Sequence, residues 1–408
     1  MRPIPEVRAQ ILSTVRTTPS ETVLFQDAVG RILADPVVAP HDVPSFSNSA
    51  MDGFAVRAEN VTSPGAVLEI VEDVAAGQVA SVTVGEGQAI KIMTGAPMPE
   101  GADTVVRVED TEEDDGKVRI ATAPPVGNSV RPPGGDVAAG STVFPAGTRL
   151  SEAHVGVLAT IGVVEPVVAR RPRVAVMSTG DELVPPETED LGPGLIRDSN
   201  RPMLLALVAA AGAEPIDLGR IPDDADSLRA ALGRAAAEAE AIVTSGGVSM
   251  GEYDVIKMVL REEADVDFFP VAMKPGKPQG FGTVGGTPFF GLPGNPVSVL
   301  VSFEQFVRPA LLAMQGATAL LRPRLTGVAG EGFHSDPAKE EFIRVRFVDS
   351  SPTPKVEQTG GSGSHVLSGA ANADAFAVLS VDVAEVAAGD TVTLELFRAV
   401  ETRGIVRD

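Results

Sequence analysis

The chain has 408 residues, which is too long for a single hydrophobic core and predicts several domains. Its 33 basic and 55 acidic side chains give a formal charge of −22, so non-specific binding to nucleic acid or to an anionic membrane surface is not expected. There is no cysteine, which excludes disulfides, thiolate metal sites and thiol nucleophiles, so any metal must be bound by oxygen or nitrogen.

The first element is an amphipathic helix, because Ile4, Val7, Ile11 and Val15 recur at helical spacing. We assign residues 1–25 to this helix and expect it to join a helical linker domain. The opening residues contain no apolar core of signal-peptide length, and no run of about 18 apolar residues follows. The predicted location is the cytoplasm.

Residues 26–145 predict a β-rich domain, because short valine-rich runs alternate with clusters of glycine, proline and aspartate. Residues 146–170 follow as the helical linker, with Ser151 as the N-cap of its helix.

The β-rich domain carries the stretch "SNSAMDGFAV" at residues 47–56, in which Asp52 lies between apolar Met51 and flexible Gly53. Loops that contain an Asp-Gly pair are usually polar on both sides. This loop is flanked by apolar residues, so the carboxylate calls for a functional explanation.

Residues 171–318 alternate short apolar runs with longer helical patterns, which predicts a doubly wound α/β domain. The predicted strands are "RVAVMS", "EPIDLG", "AIVTSGG", "DFFPVAM" and "TPFFGLP". The last helix is expected to begin with Asn295 as N-cap and Pro296 at the first helical position. Residues 319–408 contain "EEFIRVRF" and "DTVTLELF", whose period of two predicts a small, barrel-like β domain.

Polar and glycine residues follow the predicted strands of the α/β domain, where ligands bind in such sheets. One stretch presents Ser178, Thr179 and Gly180 and then the carboxylates Asp181 and Glu182. Taken alone, it fits a polar strand-to-helix turn equally well.

A second stretch presents Ser245, Gly246, Gly247 and Ser249, whose backbone N–H groups are suited to a phosphate. Asp254 follows, either as a helix cap or as a ligand of a metal ion held against that phosphate.

A third stretch, "VAMKPGKPQGFG", holds Lys274 and Lys277 next to Pro275 and Pro278. We expect an exposed loop stiffened by proline, in which Lys274 supports little packing. In so acidic a chain, two fixed lysines predict a local anion site.

Several long strings in this order resemble the molybdopterin molybdenumtransferase family, the bacterial MoeA proteins and the E domain of gephyrin. They are "PSFSNSAMDGFAV", "IMTGAPMPEGADTVV", "STGDEL", "IRDSN", "TSGGVSMGEYD", "KPGKPQGFG" and "GLPGNPVS". The resemblance covers nearly the whole chain and implies that the α/β domain binds molybdopterin. It implies an enzyme that takes adenylylated molybdopterin and molybdate, cleaves the phosphoanhydride with Mg²⁺, releases AMP and completes the molybdenum cofactor.

The resemblance also implies the site residues, each carried over through the motif in which it lies. The implied catalytic residues are Asp52, Glu182, Asp254 and Lys274, and the implied metal ligands are Asp52, Asp181, Glu182 and Asp254. The predicted substrate-binding residues are Thr94, Asp136, Ser178, Thr179, Gly180, Ser245, Gly246, Gly247, Ser249, Lys277, Pro293, Asn295 and Arg344. Either Asp223 or Asp224 matches a further family aspartate.

The implied assembly is a homodimer in which Asp52 of one subunit faces the α/β domain of the other, with transient contact to the molybdopterin adenylyltransferase. Two other readings stay open: adenylylation of molybdopterin by this chain itself, and a non-catalytic scaffold of the same fold. A nucleotide-dependent oxidoreductase is disfavoured, because no G-x-G-x-x-G follows the first strand of the α/β domain.

Overall fold

The computed structural model describes residues 1–247, 255–349, 351–361 and 363–397. Within them the chain forms an N-terminal helix, a small linker domain, a β-rich domain inserted into the linker, a central α/β domain and a C-terminal barrel. The predicted fold class, α/β plus β in several domains, is confirmed.

The N-terminal helix, Ile4–Thr14, packs against the central domain. Its buried residues Ile4, Val7 and Ile11 belong to the same hydrophobic core as the central sheet. The prediction that this helix joins the linker is therefore wrong: periodicity identifies an apolar face but not its partner. The residues that follow the helix do reach the linker: strand Ser20–Thr22 pairs with it, and Val23 and Phe25 pack against its core.

The linker domain is built from two separate segments of the chain. Strand Ser20–Thr22 pairs with Val167–Ala169, and Val37–Val38 pairs with Thr142–Phe144. The helix Glu152–Thr160 completes the domain. The β-rich domain is thus an insertion between the two segments.

This arrangement corrects the predicted boundaries, which placed the β-rich domain at 26–145 and the linker at 146–170. The core of the linker comes from both sides of the insertion: Ala28, Leu33, Val37, Leu150, Leu158, Ile161 and Val168. Short valine-rich strands and turns have the same composition in both domains, so composition alone gives no boundary. Ser151 does occupy the predicted N-cap position, and its N–H donates to His154 Nδ1 at 3.1 Å.

The inserted domain is a six-stranded sheet. The chain enters it at Asn48–Ser49 and leaves at Val130–Arg131, and these two strands pair with each other. The strands of the sheet, in spatial order, are Thr104–Arg107, Gly53–Val56, Gln88–Ile92, Ala66–Val74, Lys117–Ile120 and Thr111–Asp114. Phe54 is buried on one face and Ala55 on the other, as the alternation of side chains along a strand requires.

The central domain has a six-stranded sheet with helices on both faces. Its strands, in spatial order, are Glu214–Ile221, Arg173–Thr179, Ala241–Ser245, Thr287–Leu292, Pro278–Val284 and Asp265–Pro270. The first four strands run parallel, and Pro278–Val284 is antiparallel to both of its neighbours. Helices Asn200–Ala210 and Pro296–Met314 cover one face together with the N-terminal helix, and Ala225–Glu238 and Val255–Glu263 cover the other.

The strand Pro278–Val284 lies where the sequence predicts a loop. Its glycines are required by close packing, since a Cβ on Gly282 would lie 1.9 Å from Asp265 O. The proline at the start of this strand and the glycines within it interrupt the apolar pattern by which a strand is predicted from sequence.

The helical segment Pro296–Met314 forms the core of the central domain. It consists of the α-helix Pro296–Ser302, the π-helical turn Phe303–Val307 and the α-helix Arg308–Met314. Among the described residues, it is the one segment that is long and apolar enough to span a membrane, with a mean hydropathy of 1.4. It is 94% buried inside the protein, as expected for a core helix.

The C-terminal domain is a closed barrel of five strands. In order around the ring they are Arg324–Ala329, Lys355–Gln358, Glu340–Phe347, Ala375–Leu379 and Thr391–Leu396. The last strand pairs with the first and closes the ring. Outside the ring, Met273–Lys274 of the central domain pairs in parallel with Glu340 and Glu341 of the barrel.

A chain of buried polar groups also fixes the barrel to the rest of the molecule. Arg8 of the N-terminal helix donates through Nη2 to Gln305 Oε1 at 2.7 Å, and Gln305 Nε2 donates to Glu395 Oε1 at 2.5 Å. Arg324 completes the network with a 2.8 Å ion pair to Glu395 Oε2. Burial lowers the pKa of Arg8. Three parts of the chain are thereby held in one arrangement.

Candidate active site

Three neighbouring parallel strands of the central sheet end at one edge, at Thr179, Ser245 and Leu292. Gly246 joins the three ends, because its N–H donates to Leu292 O at 3.1 Å and its Cα approaches the first strand. A Cβ on Gly246 would lie 2.7 Å from Thr179 O, and its φ of +90° is one that few other residues adopt. The structure therefore brings together two of the predicted stretches, those that follow Thr179 and Ser245, with the stretch that follows Leu292. The predicted lysine stretch instead follows the edge strand Asp265–Pro270.

A polar network behind this edge contains residues that were not predicted to belong to the site. Ser178 Oγ donates to Asp198 Oδ2 at 2.6 Å, and Asp198 Oδ1 accepts the N–H groups of Asn200 and Arg201 at 3.1 Å each. Asn200 Nδ2 in turn donates to Gly294 O at 2.6 Å. The Ser178 hydroxyl is thus used inside the protein, where it orients Asp198 and, through Asn200, the stretch that follows Leu292.

Asp198 and Asn200 lie in the string "IRDSN", which contributed to the family resemblance without a role for either residue. The sequence does carry a signal for Asp198, because an aspartate directly before an apolar helical pattern is typical of a helix start.

Several buried polar atoms at this edge have no hydrogen-bond partner among the described residues. They are Thr244 Oγ1, Ser245 Oγ and Asn200 Oδ1. Buried polar groups in proteins are nearly always satisfied by protein, water or ligand. The edge therefore offers donors and acceptors to a bound molecule.

The stretch after Leu292, which includes Pro293, leads into the N-terminus of the long helix. Asn295 occupies the predicted N-cap position, but its side chain makes no capping hydrogen bond. Instead, the N–H of Val297 donates to Ser364 O at 3.0 Å. A loop of the barrel thus caps this helix.

Arg344 holds that loop. Its Nη1 donates to Gly363 O at 3.1 Å and to Val366 O at 3.0 Å, and its Nη2 bonds to Gly361 O. Only 4% of Arg344 is exposed, and burial lowers its pKa from the ordinary value. These donors of the predicted substrate-binding arginine are engaged by backbone carbonyls.

The structure distinguishes Asp223 from Asp224. Asp224 is the N-cap of the helix Ala225–Glu238 and accepts the N–H of Ser227 at 2.8 Å. This hydrogen bond lowers the pKa of Asp224. Asp223 Oδ2 instead accepts the N–H of Asp181 at 3.3 Å, so Asp223 is the aspartate next to the predicted acidic stretch.

Glu182 and Asp181 lie at the end of the first strand. The Glu182 carboxylate lies over Gly180, since a Cβ on Gly180 would be 2.5 Å from Glu182 Oε2. Arg220 Nη1 donates to Asp181 Oδ1 at 3.2 Å and to Gly180 O at 3.3 Å. One of the two predicted carboxylates is therefore paired with a cation, and the other covers the glycine turn.

Asp52 and Thr94 come together on the inserted domain. Asp52 Oδ1 accepts hydrogen bonds from Thr94 N and Thr94 Oγ1, both at 2.7 Å. The Thr94 side chain, followed by its backbone N–H, lowers the pKa of Asp52. Only glycine fits after Asp52, because a Cβ on Gly53 would lie 2.0 Å from Val106 O. The carboxylate is thus exposed, ionised and held in one position.

The last predicted residues are Asp136, Ser249 and Asp254. Asp136 lies on the linker, where its N–H donates to Val43 O at 2.9 Å. Ser249 and Asp254 lie outside the described residues. Within the described ranges, no group of three His, Cys, Asp or Glu residues is placed to hold a metal ion.

Lys274 lies in a short strand and not in the predicted loop, because it pairs with the barrel. Its Nζ forms a 2.9 Å ion pair with Glu341 Oε1. Lys277 is exposed, and its carbonyl accepts the N–H of Val271 at 2.7 Å. Lys274 is thus a partnered cation, which the local pattern of prolines does not reveal.

Glu341 was not predicted as a site residue. A usable signal exists in "EEFIRVRF", where Glu341 shares its strand face with Ile343 and Val345, which are buried in the barrel core. A carboxylate on an apolar strand face is expected to have a specific partner.

The chain has a doubly wound α/β domain with open polar groups at its strand ends, a barrel, and an inserted domain with a fixed carboxylate. This combination defines a multidomain ligand-binding enzyme. Three family models match the chain: "MoeA N-terminal region (domain I and II)" over residues 2–162, "Probable molybdopterin binding domain" over 175–313 and "MoeA C-terminal region (domain IV)" over 326–397. The chain belongs to the MoeA family.

Relatives agree over almost the full length. Molybdopterin molybdenumtransferase 2 of Mycobacterium tuberculosis (strain CDC 1551 / Oshkosh) is 40% identical over 399 residues, which cover 95% of this chain and 98% of the relative. Molybdopterin molybdenumtransferase of Haemophilus influenzae is 36% identical over 383 residues, 93% of this chain and 94% of the relative.

A crystal structure of a molybdopterin biosynthesis moeA protein from Pyrococcus horikoshii OT3 superposes with a TM-score of 0.87 at 29% identity, covering 97% of this chain and 100% of that one. The predicted family and the predicted transferase class are confirmed.

Proposed function

We propose that this chain is a molybdopterin molybdenumtransferase that acts on adenylylated molybdopterin and molybdate in molybdenum cofactor biosynthesis. The observation that carries the proposal is the strand-end edge, where Gly246 turns between three strand ends and buried oxygens of Thr244, Ser245 and Asn200 have no hydrogen-bond partner among the described residues, in a domain of molybdopterin-binding type. The full-length match to proteins of that name supports the same substrate.

The reaction needs positioning and charge stabilisation more than covalent help from the protein. One P–O bond of the phosphoanhydride between molybdopterin and AMP is broken, an oxygen from water takes its place, and AMP leaves. The two dithiolene sulfurs bond to molybdenum and displace an oxygen of molybdate, which leaves as water. The N–H of Gly246 is used by Leu292 O, so the N–H of Gly247 is the one suited to a phosphate oxygen, and the Lys274 ammonium is suited to a non-bridging oxygen. The glycine at 246 is required by its close approach to the first strand, since a Cβ there would meet Thr179 O.

We propose Mg²⁺ as the cofactor, because the acidic residues supply oxygen ligands and the chain has no thiolate. Asp181 and Glu182 would hold it, with Asp52 and Asp254 as the other proposed ligands. The ion supplies neutralisation of the charge that develops on the phosphate oxygens. The ionised state of Asp52, favoured by Thr94, fits this role.

We further propose a homodimer with active sites shared between subunits. Asp52 is exposed on the inserted domain, and its hydrogen bonds are to Thr94 of the same domain. Exposed apolar side chains lie close to Asp52 in the sequence or contact its backbone segment: Phe46, Met51 and Val108 are 46%, 38% and 46% exposed. A second copy of the chain would cover them. Transient contact with the adenylyltransferase and the cytoplasmic location stay predictions.

The reaction is tested by incubating the pure protein with adenylylated molybdopterin. AMP is expected only when molybdate and Mg²⁺ are both present. AMP release at an equal rate without molybdate and metal would contradict the proposed function.

The shared site is tested by subunit exchange between inactive Asp52→Asn and inactive Glu182→Gln variants. Each heterodimer should have one doubly substituted site and one intact site, so activity should return to about half of the wild-type level per dimer. If verified heterodimers are as inactive as both parents, the shared-site model is wrong, and Asp52 acts within its own subunit or not at all.

A further inference from the structure

A cleft of about 370 Å³ lies at the edge of the central sheet where the parallel strands begin. Its walls come from the segment that follows the N-terminal helix, from residues at the starts of three strands and from the end of the long helix. Ligand pockets in proteins usually measure about 300–1,000 Å³. The cleft is therefore large enough for a small organic molecule.

This cleft is separate from the candidate active site. Strand Thr287–Leu292 contributes Thr287 to the cleft and ends at Leu292 in the strand-end edge. At a rise of about 3.3 Å per residue, the two ends of this strand are roughly 17 Å apart. The long helix also runs between the two regions, because Asn295 is its N-cap and Met314, its last residue, lines the cleft. A ligand in the cleft would not compete for the groups at the strand-end edge.

The wall formed by residues 14–19 is held in place by hydrogen bonds. The N–H of Thr18 donates to Met314 O at 2.7 Å, and Thr18 Oγ1 donates to Arg170 O at 2.6 Å. The N–H of Arg170 donates to Pro19 O at 2.8 Å. The cleft is thus already formed before a ligand binds, which lowers the entropic cost of binding.

The buried part of the lining is mainly apolar, and the exposed part carries charge. Ala239, Pro288 and Met314 line the cleft and are buried. Arg16 lies on the exposed side, and within the described residues its side chain has no hydrogen bond or ion pair. An apolar surface beside an unpaired guanidinium suits a molecule that has an apolar body and an anionic group.

The acidic residue of the cleft does not oppose an anion. Among the described residues that line the cleft, Glu240 is the one carboxylate. Its Oε1 is paired with Arg170 Nη2 at 3.0 Å and with Arg173 Nη2 at 3.1 Å, and its Oε2 accepts the N–H of Arg173 at 2.7 Å. The lining therefore keeps a positive charge at Arg16, although the whole chain has a formal charge of −22.

We propose that this cleft is a second ligand site, which binds a small organic anion with an apolar or aromatic body. The buried residues contact the body, and Arg16 binds the anionic group, which is a phosphate or a carboxylate. Binding here is independent of the proposed reaction, because none of the residues at the strand-end edge takes part.

The test follows the methyl NMR signal of Met314 during titration of the full chain with three probes of matched shape. The signal is assigned by its loss in Met314→Leu. Naphthyl phosphate and naphthoate should shift it saturably, because an aromatic ring next to the methyl group changes its local magnetic field. Naphthol has the same ring without the charge and should bind at least about threefold more weakly. The anion that binds more tightly identifies the preferred head group.

Arg16→Ala should weaken the binding of both anions by about threefold or more and leave that of naphthol unchanged. Arg171→Ala is the matched control, because Arg171 is also exposed, carries the same charge and does not line the cleft. It should bind all three probes like the wild type. Unchanged signals of the other methionines verify that each variant is folded.

Three results would overturn the site. The first is that no probe shifts the Met314 signal of the wild type. The second is that naphthol binds as tightly as the anions, which would leave an apolar cleft without anion recognition. The third is that Arg16→Ala and Arg171→Ala bind the anions equally well, because the overall charge and not Arg16 would then account for the binding.

Discussion

Replacing Lys274 with alanine should destabilise the protein, although nearly half of the lysine side chain is exposed. The reason lies in its partner: the Glu341 side chain is 6% exposed and takes its ion pair from Lys274 at 2.9 Å. Without the ammonium, a buried carboxylate remains with no opposite charge. The sequence instead predicts that Lys274 is an exposed loop residue that contributes little to stability.

The magnitude follows from the burial of the two partners. Removing one member of a fully buried ion pair costs about 3–5 kcal/mol. Since Lys274 is 43% exposed, water replaces part of the lost interaction, and we expect a loss of about 2 kcal/mol in the free energy of unfolding. Adding Glu341→Gln removes the isolated charge and should restore about 1 kcal/mol.

Urea unfolding followed by far-ultraviolet circular dichroism measures both effects, and it suits a chain with one tyrosine and no tryptophan. Lys277→Ala is the matched control, because Lys277 lies on the same stretch and is exposed. It should remain within about 0.5 kcal/mol of the wild type. The reasoning is refuted if Lys274→Ala is as stable as the control, or if the double variant is less stable than Lys274→Ala alone.

Three further outcomes are expected. Thr94→Val removes the hydrogen bond that lowers the pKa of Asp52, so the acid limb of the pH–rate profile should move to higher pH; an unchanged limb would show that activity does not depend on this ionisation. Gly246→Ala should cost at least about 1 kcal/mol in urea unfolding, because its φ is +90° and its Cβ would lie 2.7 Å from Thr179 O, whereas Gly233→Ala, within a helix and with nothing within 4 Å, should stabilise slightly. Arg344→Lys should speed hydrogen exchange at the Val297 amide, since the loop that supplies Ser364 O loses its guanidinium contacts; unchanged exchange would mean that other contacts hold the loop.

The sequence predicts those features that depend on local pattern. The parallel strands of the central domain are visible because buried strands are continuous apolar runs, and their ends are marked by Ser178 to Gly180 and by Ser245 to Gly247. Since neighbouring parallel strands end at the same edge, the meeting of these stretches is a consequence of the fold class.

The features that the sequence does not predict depend on long-range partners. Nothing near Lys274 indicates that Glu341 pairs with it, because the two residues are brought together by the pairing of strands from different domains. The insertion is also hidden, because Leu33 and Leu158, which share one core, are separated in the sequence by the whole inserted sheet. Asp223 and Asp224 are neighbouring aspartates before the same helix, so the sequence does not say which of them caps it. The structure assigns the cap to Asp224, because the helix begins directly after this residue.

The packing of the N-terminal helix has a consequence for biosynthesis. The apolar face of Ile4, Val7 and Ile11 is synthesised before the inserted domain and the linker, yet the residues that cover it include Val176, Phe306 and Leu311. On the ribosome this face therefore stays uncovered until most of the polypeptide has emerged, while the inserted sheet already has all of its own strands. The helix Ile4–Thr14 is therefore among the last segments to reach its place, although it is translated before the elements that cover it.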